Sequence, residues 1–157
     1  MLRAGETAPA LWFVEAGLLS GQFLDAKGRE RIHAFYPELQ WLGLPGASLP
    51  SPYTLEALER SQLVALSPAE LGIWQAMWPG VGDLLWQALA VQVRRLTERQ
   101  QQWLMLDASE RYLGFLRDEP ALAQRLKLKE VASYLGLTNV ALSRIRRRLA
   151  AASLGAS

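Results

Sequence analysis

Hydrophobic positions change their spacing near Ser67, which divides the chain into a strand-rich part and a helical part. Before Ser67, apolar residues come in short runs separated by glycine and other turn-forming residues. Several short strands at this spacing are typical of a small barrel or sandwich. Strands are predicted at 11–15, 18–25, 29–36, 53–58 and 62–66. We expect the last two to pair with each other around a turn, and the proline- and glycine-rich stretch 43–52 to form a loop.

After Ser67 the apolar positions follow the period of a helix. Ser67 and Glu70 have the spacing of a capping box, and a proline occupies the first helical position, so a helix is expected to begin here. A longer helix is expected at about 82–106. Asp107 predicts the start of a further helix, which ends before Pro120.

The long helix carries a hydrophobic stripe that repeats every seven residues, at Leu89, Leu96 and Trp103. Leu85 extends the stripe, whereas Arg99 interrupts it. A repeat of this length is enough for a dimer interface, so the four apolar residues are predicted to mediate dimerisation. The alternative is an amphipathic helix that packs on the strands of its own chain.

Residues 128–147 have the pattern of a helix-turn-helix. Ala132 is small where the second helix would cross the first, and Gly136 permits the left-handed backbone that ends a helix in a tight turn. Thr138 can cap the second helix. The alternative is a plain helical hairpin, which would not require glycine, alanine and arginine at these positions.

The second helix of this motif would present a polar and basic face that suits a DNA major groove. Near its start, Asn139 suits an adenine edge, Val140 suits a thymine methyl group, and Arg144 can fork onto a guanine. The neighbouring arginines, including Arg148, and two lysines of the first helix would lie near phosphates. The predicted DNA-contacting residues are Thr138, Asn139, Val140, Ser143, Arg144, Arg146, Arg147, Lys127 and Lys129.

Charge is unevenly distributed along the 157 residues, although the formal net charge is only +2. Residues 1–120 hold 10 Lys and Arg against 14 Asp and Glu, a net charge of −4. Residues 121–157 hold 7 against one, a net charge of +6. A basic last quarter on an acidic body favours a segment that binds polyanions. A solvated helix face is the alternative interpretation of the charge alone.

The composition excludes several kinds of site. The chain has no cysteine, which excludes disulfides, iron–sulfur clusters and cysteine-type zinc sites, and His33 is its single histidine, so neither a metal nor a cofactor is expected. Without a glycine-rich phosphate loop, a paired-carboxylate motif or a Ser/His/Asp arrangement, we do not expect an enzyme. No apolar run approaches about 20 residues and no signal peptide is visible, so a soluble cytoplasmic protein without membrane contact is expected.

Taken together, these motifs resemble the Crp–Fnr family of bacterial transcription regulators. Residues 131–138 (VASYLGLT) and 142–145 (LSRI) are similar to the family's helix-turn-helix pattern. Residues 3–17, 25–30 and 109–112 resemble its early strands, its hairpin and the start of the helix nearest its hinge. The helix-turn-helix residues are the specific part of the resemblance.

The resemblance implies an α+β fold in three parts. Residues 1–80 would form a jelly-roll-like β-roll of the cyclic-nucleotide-binding type, residues 81–106 the dimerisation helix and residues 107–157 the helix-turn-helix domain. It also implies a homodimer that binds double-stranded DNA at a pseudo-palindromic site and regulates transcription. RNA polymerase would be a further partner if the protein activates transcription. A dimeric adaptor whose helical domain binds a protein and not DNA is the alternative.

The chain departs from the family at the cassette that holds the phosphate of cyclic AMP. Residues 36–38 (YPE) and 50–52 (PSP) stand where relatives have a Phe-Gly-Glu step and an Arg-Ser pair. Without that arginine, cyclic AMP is not expected to bind, so the effector is unknown. The N-terminus is expected to be shortened relative to the family. Residues 150–157 are expected to be flexible and too short for the β-hairpin wing of many relatives.

Overall fold

The computed structural model describes residues 2–8, 10–26, 28–43 and 50–154. The strands are β1 (Leu11–Ala16), β2 (Leu19–Leu24), β3 (Glu30–Tyr36), β4 (Trp41–Leu42), β5 (Thr54–Ala57) and β6 (Gln62–Leu66). The helices are α1 (Pro68–Met77), α2 (Gly80–Met105), α3 (Ala108–Asp118), α4 (Pro120–Arg125), α5 (Leu128–Tyr134) and α6 (Asn139–Leu154). The chain divides into two compact units, residues 1–98 and 99–157, so the boundary falls within α2.

The first unit contains two three-stranded antiparallel sheets, with strand orders β4-β1-β6 and β3-β2-β5. In the first sheet Leu11 of β1 lies opposite Leu66 of β6, and in the second Leu19 of β2 lies opposite Ala57 of β5. The prediction that the last two strands pair with each other is therefore wrong, because β5 joins β2 and β6 joins β1.

The chain changes sheets at the turn between β5 and β6. The backbone N–H of Leu58 donates to the carbonyl oxygen of Leu18 at 2.8 Å, so this end of β5 stays beside β2. Just beyond it, the backbone passes close to Gly17, where a Cβ would lie 2.6 Å from the Arg60 carbonyl oxygen. Alternation of apolar and polar residues shows that a strand has one buried face, but it does not show which strand is the partner.

Apolar side chains from both sheets meet in one core. Val14 and Leu42 come from the first sheet, and Leu19, Tyr36 and Leu55 come from the second. Each such side chain stabilises the fold by about 1.5–3 kcal/mol when it leaves water. Burial also raises the pKa of the Tyr36 hydroxyl, since the phenolate would lose its hydration there.

The two-residue strand β4 was not predicted, because it directly precedes the proline- and glycine-rich stretch. Trp41 lies opposite Phe13 of β1, and their rings are 5.0 Å apart between centroids. Most of the predicted loop, residues 44–49, lies outside the described residues. Pro50 forms an isolated antiparallel bridge with Thr7.

Capping geometry confirms the predicted starts of α1 and α3. The Ser67 hydroxyl accepts the N–H of Glu70 at 3.2 Å, and the Glu70 carboxylate accepts the N–H of Ser67 at 2.8 Å. Asp107 and Glu110 form the same reciprocal pair at α3. At the other end of the chain, α6 continues to residue 154, so the expectation of a flexible tail from residue 150 is wrong over these residues. Its alanines favour continuation of the helix.

Leu19 and Leu24 offer a matched test of the core, because both lie on β2 but are 3% and 66% exposed. We expect Leu19→Ala to lower the free energy of unfolding of the first unit by about 2–5 kcal/mol, since the truncation leaves a cavity between the sheets. Leu24→Ala should change it by less than about 0.5 kcal/mol. Urea unfolding followed by tryptophan fluorescence measures both, since five of the six tryptophans lie in residues 1–98. Equal losses would contradict the placement of this core.

Candidate nucleic-acid interface

The turn between α5 and α6 has the geometry that a helix-turn-helix requires. Gly136 has a φ of 68°, a left-handed conformation that strains a residue with a side chain. The N–H of Leu137 donates to the Ala132 carbonyl oxygen at 2.8 Å, and the N–H of Gly136 donates to that of Ser133 at 3.1 Å. These bonds form a Schellman motif, which satisfies carbonyl groups at the end of α5. The predicted role of Gly136 in ending the first helix is confirmed.

The two helices of this motif pack closely and α6 is capped as predicted. Ala132 of α5 and Leu142 of α6 are almost completely inaccessible to solvent, as expected if a small side chain lets the helices approach. The Thr138 Oγ1 accepts the N–H of Ala141 at 3.1 Å. This bond satisfies one of the backbone donors that the start of α6 leaves unpaired.

The outward face of α6 carries the residues predicted to read bases. Val140, Arg144 and Arg147 follow each other at spacings of four and three residues, so they share one side of the helix. All three are exposed, as is Asn139, whereas Ser143 is half-buried. The structure thus brings these five residues to one surface, opposite the buried side of α6.

The arginine run in α6 does not point in one direction. Both Arg146 and Arg147 are exposed, but Arg147 lies on the outward face, whereas Arg146 borders a cleft of about 330 Å³ between the helices of the second unit. Arg148 donates a hydrogen bond from Nη2 to the Oγ of Ser109 in α3. The pKa of the nearby Asp107 carboxyl is held low, chiefly by the N–H groups that it accepts at the start of α3, with a smaller contribution from Arg148.

Two lysines flank the start of α5. Lys127 and Lys129 are exposed, and the N–H of Lys127 donates to the Glu130 carboxylate at 2.6 Å. Glu130 is the single acidic residue after residue 120, and it is buried. In the described part of residues 121–154, the exposed charged side chains are therefore all basic.

The last turns of α2 belong to the second unit and pack against this turn. The Arg99 guanidinium lies 3.8 Å from the centre of the Tyr134 ring, and its Nη2 donates to the Tyr134 carbonyl oxygen at 2.7 Å. Burial lowers the pKa of Arg99. Trp103 packs against Gly136, and the Arg111 guanidinium lies 4.7 Å from the Trp103 ring centre. Arg99, which interrupts the hydrophobic stripe of α2, therefore contacts Tyr134 of its own chain.

The stripe predicted for dimerisation divides into two groups. None of the 26 residues of α2, all of which the structure describes, is buried. Leu85 and Leu89 are half-buried and line, with Trp41, a cavity of about 270 Å³ in the first unit. Leu96 and Trp103 are 57% and 44% exposed, and one part of the Trp103 ring packs against Gly136.

In the first unit, the residues at the position of the phosphate cassette bond to the chain's own backbone. The Glu38 carboxylate accepts the N–H of Gly17 at 3.0 Å. The Ser51 hydroxyl donates to the Tyr53 carbonyl oxygen at 2.6 Å. A cavity of about 510 Å³ in the first unit is lined mainly by apolar residues, and the described residues around it include no lysine or arginine. The His33 ring stacks on that of Phe23 at 4.6 Å between centroids and packs at a tilt against that of Tyr53 at 4.5 Å.

Comparison with solved structures identifies the fold. The chain superimposes on FixK2 from Bradyrhizobium japonicum with a TM-score of 0.82 and 23% identity, over 98% of this chain and 80% of that one. A CRP-family transcriptional regulator from Thermus thermophilus gives a TM-score of 0.77 at 21% identity, over 98% and 82% of the two chains. The chain has the fold of the Crp–Fnr regulators. The c-di-GMP-responsive global regulator CLP from Xanthomonas campestris gives 0.74 at 21% identity, over 98% and 83%.

The Crp–Fnr fold confirms the predicted fold class, with an N-terminal β-roll and a C-terminal helical domain. No protein-family model and no curated protein matches the sequence. Among the described residues, no group of three His, Asp or Glu side chains could hold a metal ion. No described helix is both long enough and apolar enough to cross a bilayer.

Sequence reasoning missed several apolar residues of α2. Trp86, Val93 and Leu104 are exposed, yet they lie outside the seven-residue stripe that starts at Leu89. The signal was present, because Trp86 and Val93 alternate with Leu89 and Leu96 at spacings of three and four. The contacts of Arg99 with Tyr134 carried no comparable sequence signal, since they join residues 35 positions apart.

Replacement of Thr138 tests whether its cap holds α6. We expect Thr138→Ala to lower the free energy of unfolding of the second unit by about 1 kcal/mol, because the N–H of Ala141 loses its acceptor. Thr138→Ser keeps the hydroxyl and should stay close to the wild type. Thermal unfolding followed by circular dichroism at 222 nm, a wavelength that reports helix, measures both variants, and equal stability of Thr138→Ala and wild type would contradict the cap.

Proposed function

We propose that the protein is a sequence-specific transcription regulator that binds double-stranded DNA as a homodimer. The outward face of α6 carries this proposal, because it combines exposed polar and basic residues with a capped helix-turn-helix. Two of the structural neighbours bear names that describe transcriptional or global regulators. The same face on a helix that bound protein would not need exposed charge of a single sign.

In this proposal α6 enters the major groove with its N-terminal residues against base edges. Asn139 would bond to an adenine, Val140 would contact a thymine methyl group, and Arg144 would bond to O6 and N7 of a guanine. Thr138 and Ser143 offer hydroxyl groups beside them. The residues proposed to contact phosphates are Arg146, Arg147, Lys127 and Lys129.

Phosphate contacts would supply much of the affinity and make it depend on salt. Arg147 and the two lysines are exposed, so their charge is available to a backbone that approaches α5 and α6. Arg146 is exposed as well, at the border of the cleft in the second unit, so its charge is also available to a phosphate. Arg148 is bonded to Ser109, which reduces its contribution.

Selection of bound fragments from a random double-stranded DNA pool, at two salt concentrations, tests the proposal. The wild type should recover a motif with two-fold symmetry. Arg144→Ala should lose discrimination at one base of each half-site, at a cost of about 1–3 kcal/mol, because the fork onto guanine is gone. Arg147→Ala is the matched control and should weaken binding to all sequences while reducing the salt slope by about one. Weak retention without enrichment at either salt concentration would contradict DNA reading and favour the protein-binding adaptor.

The exposed stripe of α2 is the proposed dimer interface. A helix of this length with no buried residue leaves large apolar side chains in water, and a second copy would cover them by coiled-coil packing. Of the four residues predicted to mediate dimerisation, Leu96 and Trp103 are the more exposed and would form the interface. The half-buried Leu85 and Leu89 would lie at its edge. Paired copies would present two copies of α6, which is the arrangement that a pseudo-palindromic site requires.

Leu96 and Leu84 allow a matched test of the interface, since they are 57% and 66% exposed on different faces of α2. We expect Leu96→Glu to raise the dimer dissociation constant at least about tenfold, because two carboxylates would be brought into an apolar seam. Leu84→Glu should leave it unchanged. Sedimentation equilibrium measures both constants. A monomeric wild type, or equal effects of the two variants, would contradict this interface.

We propose no cyclic nucleotide as effector. Glu38 and Ser51, which stand at the position of the phosphate cassette, already bond to main-chain groups of the β-roll. The cavity of about 510 Å³ in the first unit would also offer an anion no guanidinium partner among the described residues that line it. The β-roll would instead bind a different small effector, bind a protein, or serve as a platform for α2.

A further inference from the structure

The indole of Trp103 fills the space beside the turn glycine of the helix-turn-helix. A Cβ at Gly136 would lie 2.9 Å from both Cζ2 and Cζ3 of the ring and closer still to Cη2. Gly136 is therefore required for two reasons, its left-handed φ and the ring that occupies the place of a side chain. Because Trp103 lies near the end of α2, this contact joins the turn directly to that helix.

Arg99 holds the end of α5 from the same side of α2. It precedes Trp103 by four residues, a spacing that places both side chains on one helix face. Its guanidinium both stacks on the Tyr134 ring and bonds to the Tyr134 carbonyl oxygen. The Tyr134 ring also packs against the buried Phe115, 5.7 Å away between ring centres. A planar cation with a stacked ring and a carbonyl partner fixes direction as well as distance.

These contacts lie immediately before the residues that would read DNA. The N–H groups of Gly136 and Leu137 donate the Schellman bonds of the turn, and Thr138, the next residue, caps the start of α6. A change in how the turn sits on α2 would therefore tilt the whole of α6. We call Arg99 and Trp103, with their partners Tyr134 and Gly136, the turn clamp.

We propose that Arg99 and Trp103 are positioning residues, which set the orientation of α6 on the end of α2 and thereby the half-site spacing that the dimer selects. The inference rests on the proposed function, since spacing has meaning only for a dimer that reads two half-sites. A residue with a merely structural role would change stability and affinity alike at every spacing. A positioning residue changes which spacing is preferred.

The test uses operators built from the half-site that the wild type selects, with the separation of the two half-sites varied one base pair at a time around about 10 base pairs. The wild type should prefer one separation over its neighbours by about tenfold, since each added base pair rotates one half-site around the helix axis. Trp103→Ala should reduce this preference to about threefold or less. Because Trp103 also belongs to the proposed dimer interface, this variant is tested at protein concentrations at which sedimentation equilibrium shows it to be a dimer. Trp103→Phe keeps a ring beside Gly136 and should retain the preference. Trp78→Ala removes another partly exposed tryptophan, in the first unit, and should leave it unchanged.

A second variant and a readout without DNA guard against misfolding of the first. Arg99→Gln removes the stacked cation, and we expect it to flatten the spacing preference as Trp103→Ala does. In the absence of DNA, both variants should raise amide hydrogen exchange at Gly136 and Leu137 at least about fivefold relative to the wild type, because the turn loses its support.

The outcomes separate this inference from the proposed function. A wild type that enriches no motif overturns the proposed function and, with it, the spacing role of the clamp; the exchange rates then still show whether the clamp holds the turn. If the wild type selects a motif but Trp103→Ala weakens binding equally at all separations, the clamp is structural only and the inference fails. Unchanged exchange in both variants also overturns it.

Discussion

The left-handed backbone at Gly136 is the constraint on which the arrangement of the second unit depends. An L side chain at this φ would be strained, and a Cβ would also collide with Trp103. The turn therefore ends α5, directs the chain into α6 and accepts the end of α2 at the same point. The burial of Ala132 in α5 is consistent with this geometry, as is the exposure of Arg144 on α6.

The long helix α2 poses a different physical problem. Its ends contact residues of their own chain, through Leu85 near the start and Trp103 near the finish. Between them, apolar side chains such as Val93 and Leu96 stay in water, and a stripe of this length is rarely left uncovered in a stable protein. Intramolecular packing and pairing with a second copy are therefore not exclusive alternatives for this helix, because they use neighbouring faces. The seven-residue stripe predicted from the sequence contained residues of both faces, the one that packs on its own chain and the one that stays in water.

Local signals were predictable, whereas pairings across the chain were not. Capping boxes, the glycine of the turn and the hydroxyl of Thr138 act within a few residues, so their chemistry is visible in the sequence, and each was found where it was predicted. The partners of β5 and β6 were not predictable, because alternation fixes a face and leaves the neighbouring strand open. The stacking of Arg99 on Tyr134 was not predictable either, because it depends on how two segments that are distant in sequence pack together.

Net charge is a poor guide to which basic residues can act on DNA. Three successive arginines in α6 have the same chemistry and are all exposed, yet Arg146 borders a cleft, Arg147 lies on the outward face and Arg148 bonds to Ser109. Glu130 adds a negative charge to the net charge of this segment but not to its surface. It is buried as part of the cap of α5, so the exposed charges around it are all positive. What makes this surface suited to a polyanion is therefore the placement of few charges on a fixed helix. In the proposed function, the contacts that fix that helix would matter as much for recognition as the residues that would touch bases.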